Sequence, residues 1–252
     1  MIDLNHATAE AIGLDGAIPR RQPPGKLHGD IAITVQSRSA QQAIVGRQST
    51  VNKPLIVGLL GFADRLRMIW QAAADDDPYA DWWLIKVDQA LDYAGIVIDD
   101  EVESLRRLVQ STGLEIGVST STRPYRLSLK FATPYAYRGA QLIAAFDQAV
   151  CTAVTAQYTG LLPKAEADRR VGRCAALLRS LFGISQAYRL LRIDRATVAA
   201  GGPVASRAAE LMGELPEAVM NGDKVAPWHP RKSRPAGLAD VATTPMPAED
   251  QR

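Results

Sequence analysis

The 252-residue chain is 47% hydrophobic and 22% charged, with a formal net charge of +2, the make-up of a folded globular protein rather than a disordered or collagen-like one. No apolar run approaches the roughly 18 residues that a membrane span needs, and the N-terminus has no continuous apolar signal core, so the expectation is a cytoplasmic protein. The three histidines, His6, His28 and His229, fall in stretches that read as tails, which removes His-based acid–base and zinc chemistry from the expected core.

Residues 1–29 carry Pro19, Pro23 and Pro24 without sustained periodicity and read as a disordered tail. DIAITVQSR (30–38) alternates Ile31, Ile33 and Val35 with Ala32, Thr34 and Gln36, a strand signature, and a short helix follows over 39–47 with Ser39 near its cap. Asn52 and Pro54 predict the start of a longer helix whose buried stripe is Leu55, Leu59, Phe62, Leu66, Ile69 and Trp70. DDDP (75–78) ends it. A helix over 79–93 is closed by Gly95, and Asp99 and Asp100 open another through Val109.

After Gly113 the period changes to two. LEIGVST and PYRLSLKF predict a β-hairpin that turns at about 120–124. Pro134 then starts a helix to Tyr158, with Phe146 and Val150 on its buried face, and a second helix runs over 164–182. Cys151 and Cys174 fall inside these patterns and read as buried free thiols. One more short helix is expected over 203–214. From Pro216 onward, Pro, Gly and polar residues predict a second disordered tail, 216–252. The expected fold is therefore a single α+β domain over 30–215, mostly helical, with a small antiparallel sheet or ribbon packed on helices.

Phosphate-binding GxxxxGK[ST], GxGxxG between strand and helix, and GxSxG are all absent. Asp75, Asp76 and Asp77 sit where helix-start carboxylates are favourable without a metal. Serine and cysteine without a core histidine support no nucleophilic catalysis. An enzyme is the weakest reading, and neither cofactor nor metal is expected.

Charge is unevenly spread: residues 59–122 hold twelve acids against five bases, a net −7, whereas 123–195 hold twelve bases against four acids, a net +8. Such segregation would draw a polyanion to the second region. Within it, Arg126, Ser128 and Lys130 alternate along a strand, the spacing at which a β-ribbon offers side chains to base edges in the DNA major groove. Arg123, Arg138, Lys164, Arg169, Arg170 and Arg173 would then hold phosphates. A rival reader is the earlier strand, through Thr34, Gln36 and Arg38, which is followed by a short and a longer helix in ribbon-helix-helix proportions. The plainer alternatives are a solvated edge strand protected by lysine and arginines that decorate helix faces.

From the GR of IVGR (46–47) through PYAYRGA and FDQAV to MGELPEAV (212–219), the chain resembles a family of proteins carried by bacterial integrating conjugative elements and grouped with the AcaB-like transcriptional regulators of conjugative plasmids. The motifs are packing and turn residues rather than catalytic ones. The resemblance implies binding of double-stranded DNA by a homodimer with a ribbon-helix-helix type of fold, and control of transfer or maintenance genes. The other class of function left open is a non-enzymatic interaction factor of the conjugation machinery, whose basic face meets an acidic protein partner.

Overall fold

The computed structural model describes residues 31–230. Strand β1 (Ile31–Val35) leads into helix α1 (Arg38–Val45), α2 (Leu59–Ala74), α3 (Pro78–Gln110), strand β2 (Tyr125–Leu129), α4 (Pro134–Tyr158) and α5 (Lys164–Ile184). Three short helices follow: α6 (Arg195–Ala200), α7 (Pro203–Met212) and α8 (Glu217–Met220). The architecture is α+β and mostly helical, as expected. Helix α4 runs through the centre and packs on α1, α2, α3, α5 and β1. Its length is apolar on nearly every side, from Tyr135 through Phe146 to Ala156, as a helix surrounded by others must be.

Sequence sets the helix starts through side-chain caps. Ser37, Asp77, Thr133 and Asp194 accept backbone N–H groups at the beginnings of α1, α3, α4 and α6, satisfying donors that have no partner inside the helix. Asp77 therefore has a structural task. Its neighbour Asp76 is ion-paired with Arg195 at 2.6 Å.

Four expectations need correction. Helix α2 begins at Leu59 behind Gly58, not at Pro54. The segment between α1 and α2 instead turns back, with Arg47 N–H donating to Ile56 O at 2.8 Å and Ile56 N–H to Arg47 O at 2.9 Å. The two helices expected on either side of Gly95 are one helix of 33 residues, about 50 Å long at ~1.5 Å per residue. Gly95 faces α4, where a Cβ would meet Leu142 at 3.7 Å. Its helix cost of about 1 kcal/mol is outweighed by burial of Leu91, Ala94 and Ile98 around it.

The expected hairpin does not form. Tyr125–Leu129 pairs antiparallel with Ile31–Val35, in the register Ile31↔Leu129, Ile33↔Leu127, Val35↔Tyr125. LEIGVST lies outside any ladder and exposes Leu114 and Val118, and of its apolar residues Ile116 alone packs partly on the core. It is held by Ser119 N–H donating to Thr155 Oγ1 at 2.8 Å and Ser121 N–H to Gln36 Oε1 at 3.1 Å.

Residues 216–230, expected in the C-terminal tail, pack on the domain. Val219 and Ala226 are buried, Tyr135 OH donates to Trp228 O at 2.7 Å, and the His229 ring lies 2.6 Å from buried Asp81. The boundary at 215 overlooked these anchors, since proline and glycine mark a chain that cannot be helical but not one that cannot pack. The expected tail over 1–29 and the remainder of the second, 231–252, lie outside the described residues.

Candidate nucleic-acid interface

Side chains alternate across a pleated strand, and the register turns that rule into one outward face. Ile33, Val35 and Leu129 are buried, while Ala32, Thr34, Arg126 and Ser128 are exposed. Thr34 lies opposite Arg126 and Ala32 opposite Ser128, so each pair stands about 5 Å apart on that face. The two strands that compete in sequence as DNA readers are the halves of a single ribbon, complete within one chain. Lys130, also exposed, continues β2 past the ladder.

At the other end of the ribbon, Gln36, Arg38, Gln41, Ser121, Arg123 and Tyr125 line a depression of about 300 Å³. Arg38 is the first residue of α1, and the partial positive charge of that helix end adds to both guanidinium groups. Gln36 is not an outward reader: its side-chain oxygen holds the backbone of Ser121.

The ribbon is locked to the helical core by one residue that sequence reasoning passed over. Asp147, 5% exposed on α4, accepts Gln36 N–H at 2.6 Å and Ser37 N–H at 2.8 Å. A lone carboxylate between Phe146 and Val150, both on the apolar face of α4, was the available signal, because a buried charge requires partners.

The cations divide into two sets. Arg138 bridges Asp88, at 2.5 Å, and Asp92. Arg170 binds Glu101 and donates to Ser104 Oγ at 2.7 Å, and Arg173 lies 3.6 Å from the same Glu101. Lys164 pairs with Asp168 at 2.6 Å and Arg169 with Glu166. Five of the six expected phosphate contacts are thus occupied by carboxylates, and Arg138 and Arg170 are largely buried in that role. Arg38, Arg123, Arg126 and Lys130 have no ion pair among the described residues. The structure brings Arg123, Arg126, Ser128, Lys130, Thr34 and Arg38 together on the ribbon and at its end.

A second buried polar cluster lies at the start of α3. Arg195 joins Asp76 to Asp81 at 2.6 and 2.5 Å, and Tyr188 OH donates to Asp77 Oδ2 at 2.7 Å. Burial pushes the Asp77 carboxyl above its usual range, although Tyr188 and the capped N–H groups oppose the shift. Burial likewise raises Tyr188. These groups stitch residues 188–195 to α3.

A sequence profile described as the transcriptional regulator AcaB matches residues 23–232, which sets the chain among transcriptional regulators. It belongs to the AcaB family. Among solved structures it is similar to the crystal structure of selenomethionine-containing AcaB from uropathogenic E. coli, with a TM-score of 0.53 and 16% identity over 76% of this chain and 89% of that one. At that identity the likeness concerns the fold. No curated protein matches the chain. Among the described residues no helix is long and apolar enough to cross a membrane.

Proposed function

We propose that this AcaB-family chain is a DNA-binding regulator of an integrating conjugative element and that it engages duplex DNA with the β1–β2 ribbon. Arg126, Thr34 and Ser128 approach base edges, while Arg38, Arg123 and Lys130 hold the flanking phosphates. One observation carries the reading: on this exposed face the cations lack carboxylate partners, whereas Arg138 and Arg170 are largely buried against carboxylates and Lys164, Arg169 and Arg173 pair with acids at the surface. The element context is supported by the resemblance of PYAYRGA, FDQAV and MGELPEAV to proteins of such elements.

A two-stranded ribbon fits the major groove, which is roughly 12 Å wide. From Tyr125 to Leu129 the ribbon spans about 13 Å at ~3.3 Å per residue, roughly four base pairs at ~3.4 Å each. One copy therefore reads a short half-site, and a homodimer is the economical way to a longer operator.

The test is DNA affinity against salt, using DNA from the host element. Three phosphate contacts per copy in a dimer predict a log–log slope of about −5. Lys130→Ala lowers that slope by about two, and Arg126→Ala lowers the preference for cognate over random DNA by about tenfold or more. Arg169→Ala, on the far set of cations, leaves both unchanged. Absence of binding at low salt, or equal effects of Arg126→Ala and Arg169→Ala, overturns the reading and leaves the unpaired cations to an acidic protein partner.

A further inference from the structure

Between α1 and α5 lies a half-enclosed cleft of about 450 Å³, the size of cavities that hold small organic molecules. Its floor is made by Val57, Val171, Ala175, Leu178 and Phe182, none of which offers a side-chain hydrogen bond. Arg47, Arg179 and Asp168 also line the cleft. Asp168 is paired with Lys164 at 2.6 Å. The Arg179 side chain has no ion pair or hydrogen bond among the described residues, and the Arg47 guanidinium donates only to Pro54 O at 3.1 Å.

Two glycine positions show that the cleft is built rather than left over. Gly46, at φ +75°, and Gly58 meet backbone to backbone, so that a Cβ on Gly46 would lie 2.5 Å from Gly58 N. This close crossing, with the Arg47–Ile56 pair of hydrogen bonds, fixes the wall that carries Arg47. Gly172 is different. It lies inside α5 and lines the cleft, yet a Cβ there would meet nothing within 4 Å. A glycine in a helix interior is unfavourable relative to alanine, and no neighbour in the chain requires this one. Its effect is to leave the helix backbone bare beside an apolar floor.

We propose that this cleft is a binding site for a small amphipathic carboxylate, with the apolar body on the floor beside Gly172 and the carboxylate at Arg47 and Arg179. Ser39 and Gln42 also line the cleft, but the apolar floor offers no partners for a polyol's remaining hydroxyls and so favours a ligand with a hydrocarbon body. Two guanidinium groups favour a single anion, which they can bind by charge-assisted hydrogen bonds.

The test uses decanoate, decan-1-ol and decyltrimethylammonium below their aggregation limits in calorimetric titrations of the full-length chain. Decanoate is expected to bind saturably, one per chain, about tenfold or more tighter than the alcohol, with no binding of the cation. Gly172→Leu fills the space and is expected to abolish decanoate binding without lowering the melting temperature. Should that variant fold poorly, the exposed double variant Arg47→Ala/Arg179→Ala keeps the question open to refutation, since it should make decanoate and decanol bind alike. Equal binding of the acid and the alcohol to the native chain, or retained preference for the acid in the double variant, overturns the proposal. Binding is read directly, so its failure leaves the DNA reading untouched.

Discussion

Asp147→Ala tests whether one carboxylate on the central helix sets the position of the ribbon. The native side chain accepts Gln36 N–H at 2.6 Å and Ser37 N–H at 2.8 Å from a site that is 5% exposed. Hydrogen bonds to a charged acceptor contribute about 1.5–3 kcal/mol each. Alanine leaves both donors without a partner, though their part-buried position lets water recover some of the loss. The expected destabilisation is about 2–4 kcal/mol, which for a domain of this size lowers the melting temperature by roughly 5–15 °C. Urea denaturation followed by circular dichroism measures it. Because β1 and α1 meet at Ser37, hydrogen exchange should quicken at residues 33–40 before it does in α3. A loss below about 0.5 kcal/mol, or exchange that quickens uniformly, would refute the argument that this contact ties the strand to the core.

Three further outcomes follow from the geometry. Gly46→Ala places a Cβ against the Gly58 backbone at φ +75° and should cost about 3 kcal/mol or more, while Gly172→Ala should stabilise by about 1 kcal/mol; paired denaturation curves compare them. The native Asp77 carboxyl holds its proton more tightly than in the unfolded chain, so its contribution to stability falls as pH rises from the ordinary 3.8 through its raised native value, and is level above that. Asp77→Asn, which can still cap α3, should remove this slope from a plot of unfolding free energy against pH. Burial, with Asp147 beside it, pushes the Cys151 thiol from 9.0 up to about 11; iodoacetamide at pH 8 should therefore label it about 100-fold more slowly in the native chain than in urea, as peptide mass spectrometry would show.

Much of the helical framework is legible in the sequence because it rests on local chemistry. Asp77 followed by Pro78, and Thr133 followed by Pro134, are cap and first-turn pairs, and both begin helices at those residues. The failures come where tertiary packing overrules local preference. Gly95 and the Asp99–Asp100 pair resemble a stop and a restart, yet Gly95 sits in the middle of α3, where the packing of Leu91, Ala94 and Ile98 carries the helix through, and the aspartates face solvent. Residues 114–120 and 125–131 resemble a hairpin because period-two alternation does not name its partner. The actual partner lies ninety or more residues earlier in the chain, at Ile31–Val35, and no local signal specifies that distance. His229 and Trp228 were lost to the expected tail for a related reason: their anchors, Asp81 and Tyr135, lie on α3 and α4.

The charge pattern shows most plainly what sequence order conceals. Blocks of net −7 and +8 suggest an anion-seeking half, but oppositely charged segments of one chain meet at an effective concentration that few separate partners match. Arg138 therefore closes on Asp88 and Asp92, Arg170 and Arg173 on Glu101, and Arg195 on Asp76 and Asp81. Among the described residues, the cations of the ribbon and its end, which the topology holds away from those carboxylates, keep their charge for another molecule. Strand β2 is in that position because its ladder partner, IAITV, contains no acid, so that Arg126 finds Thr34 opposite rather than a carboxylate. The ribbon's claim on a polyanion thus rests less on having basic residues, which the helices have in greater number, than on being paired with a neutral strand.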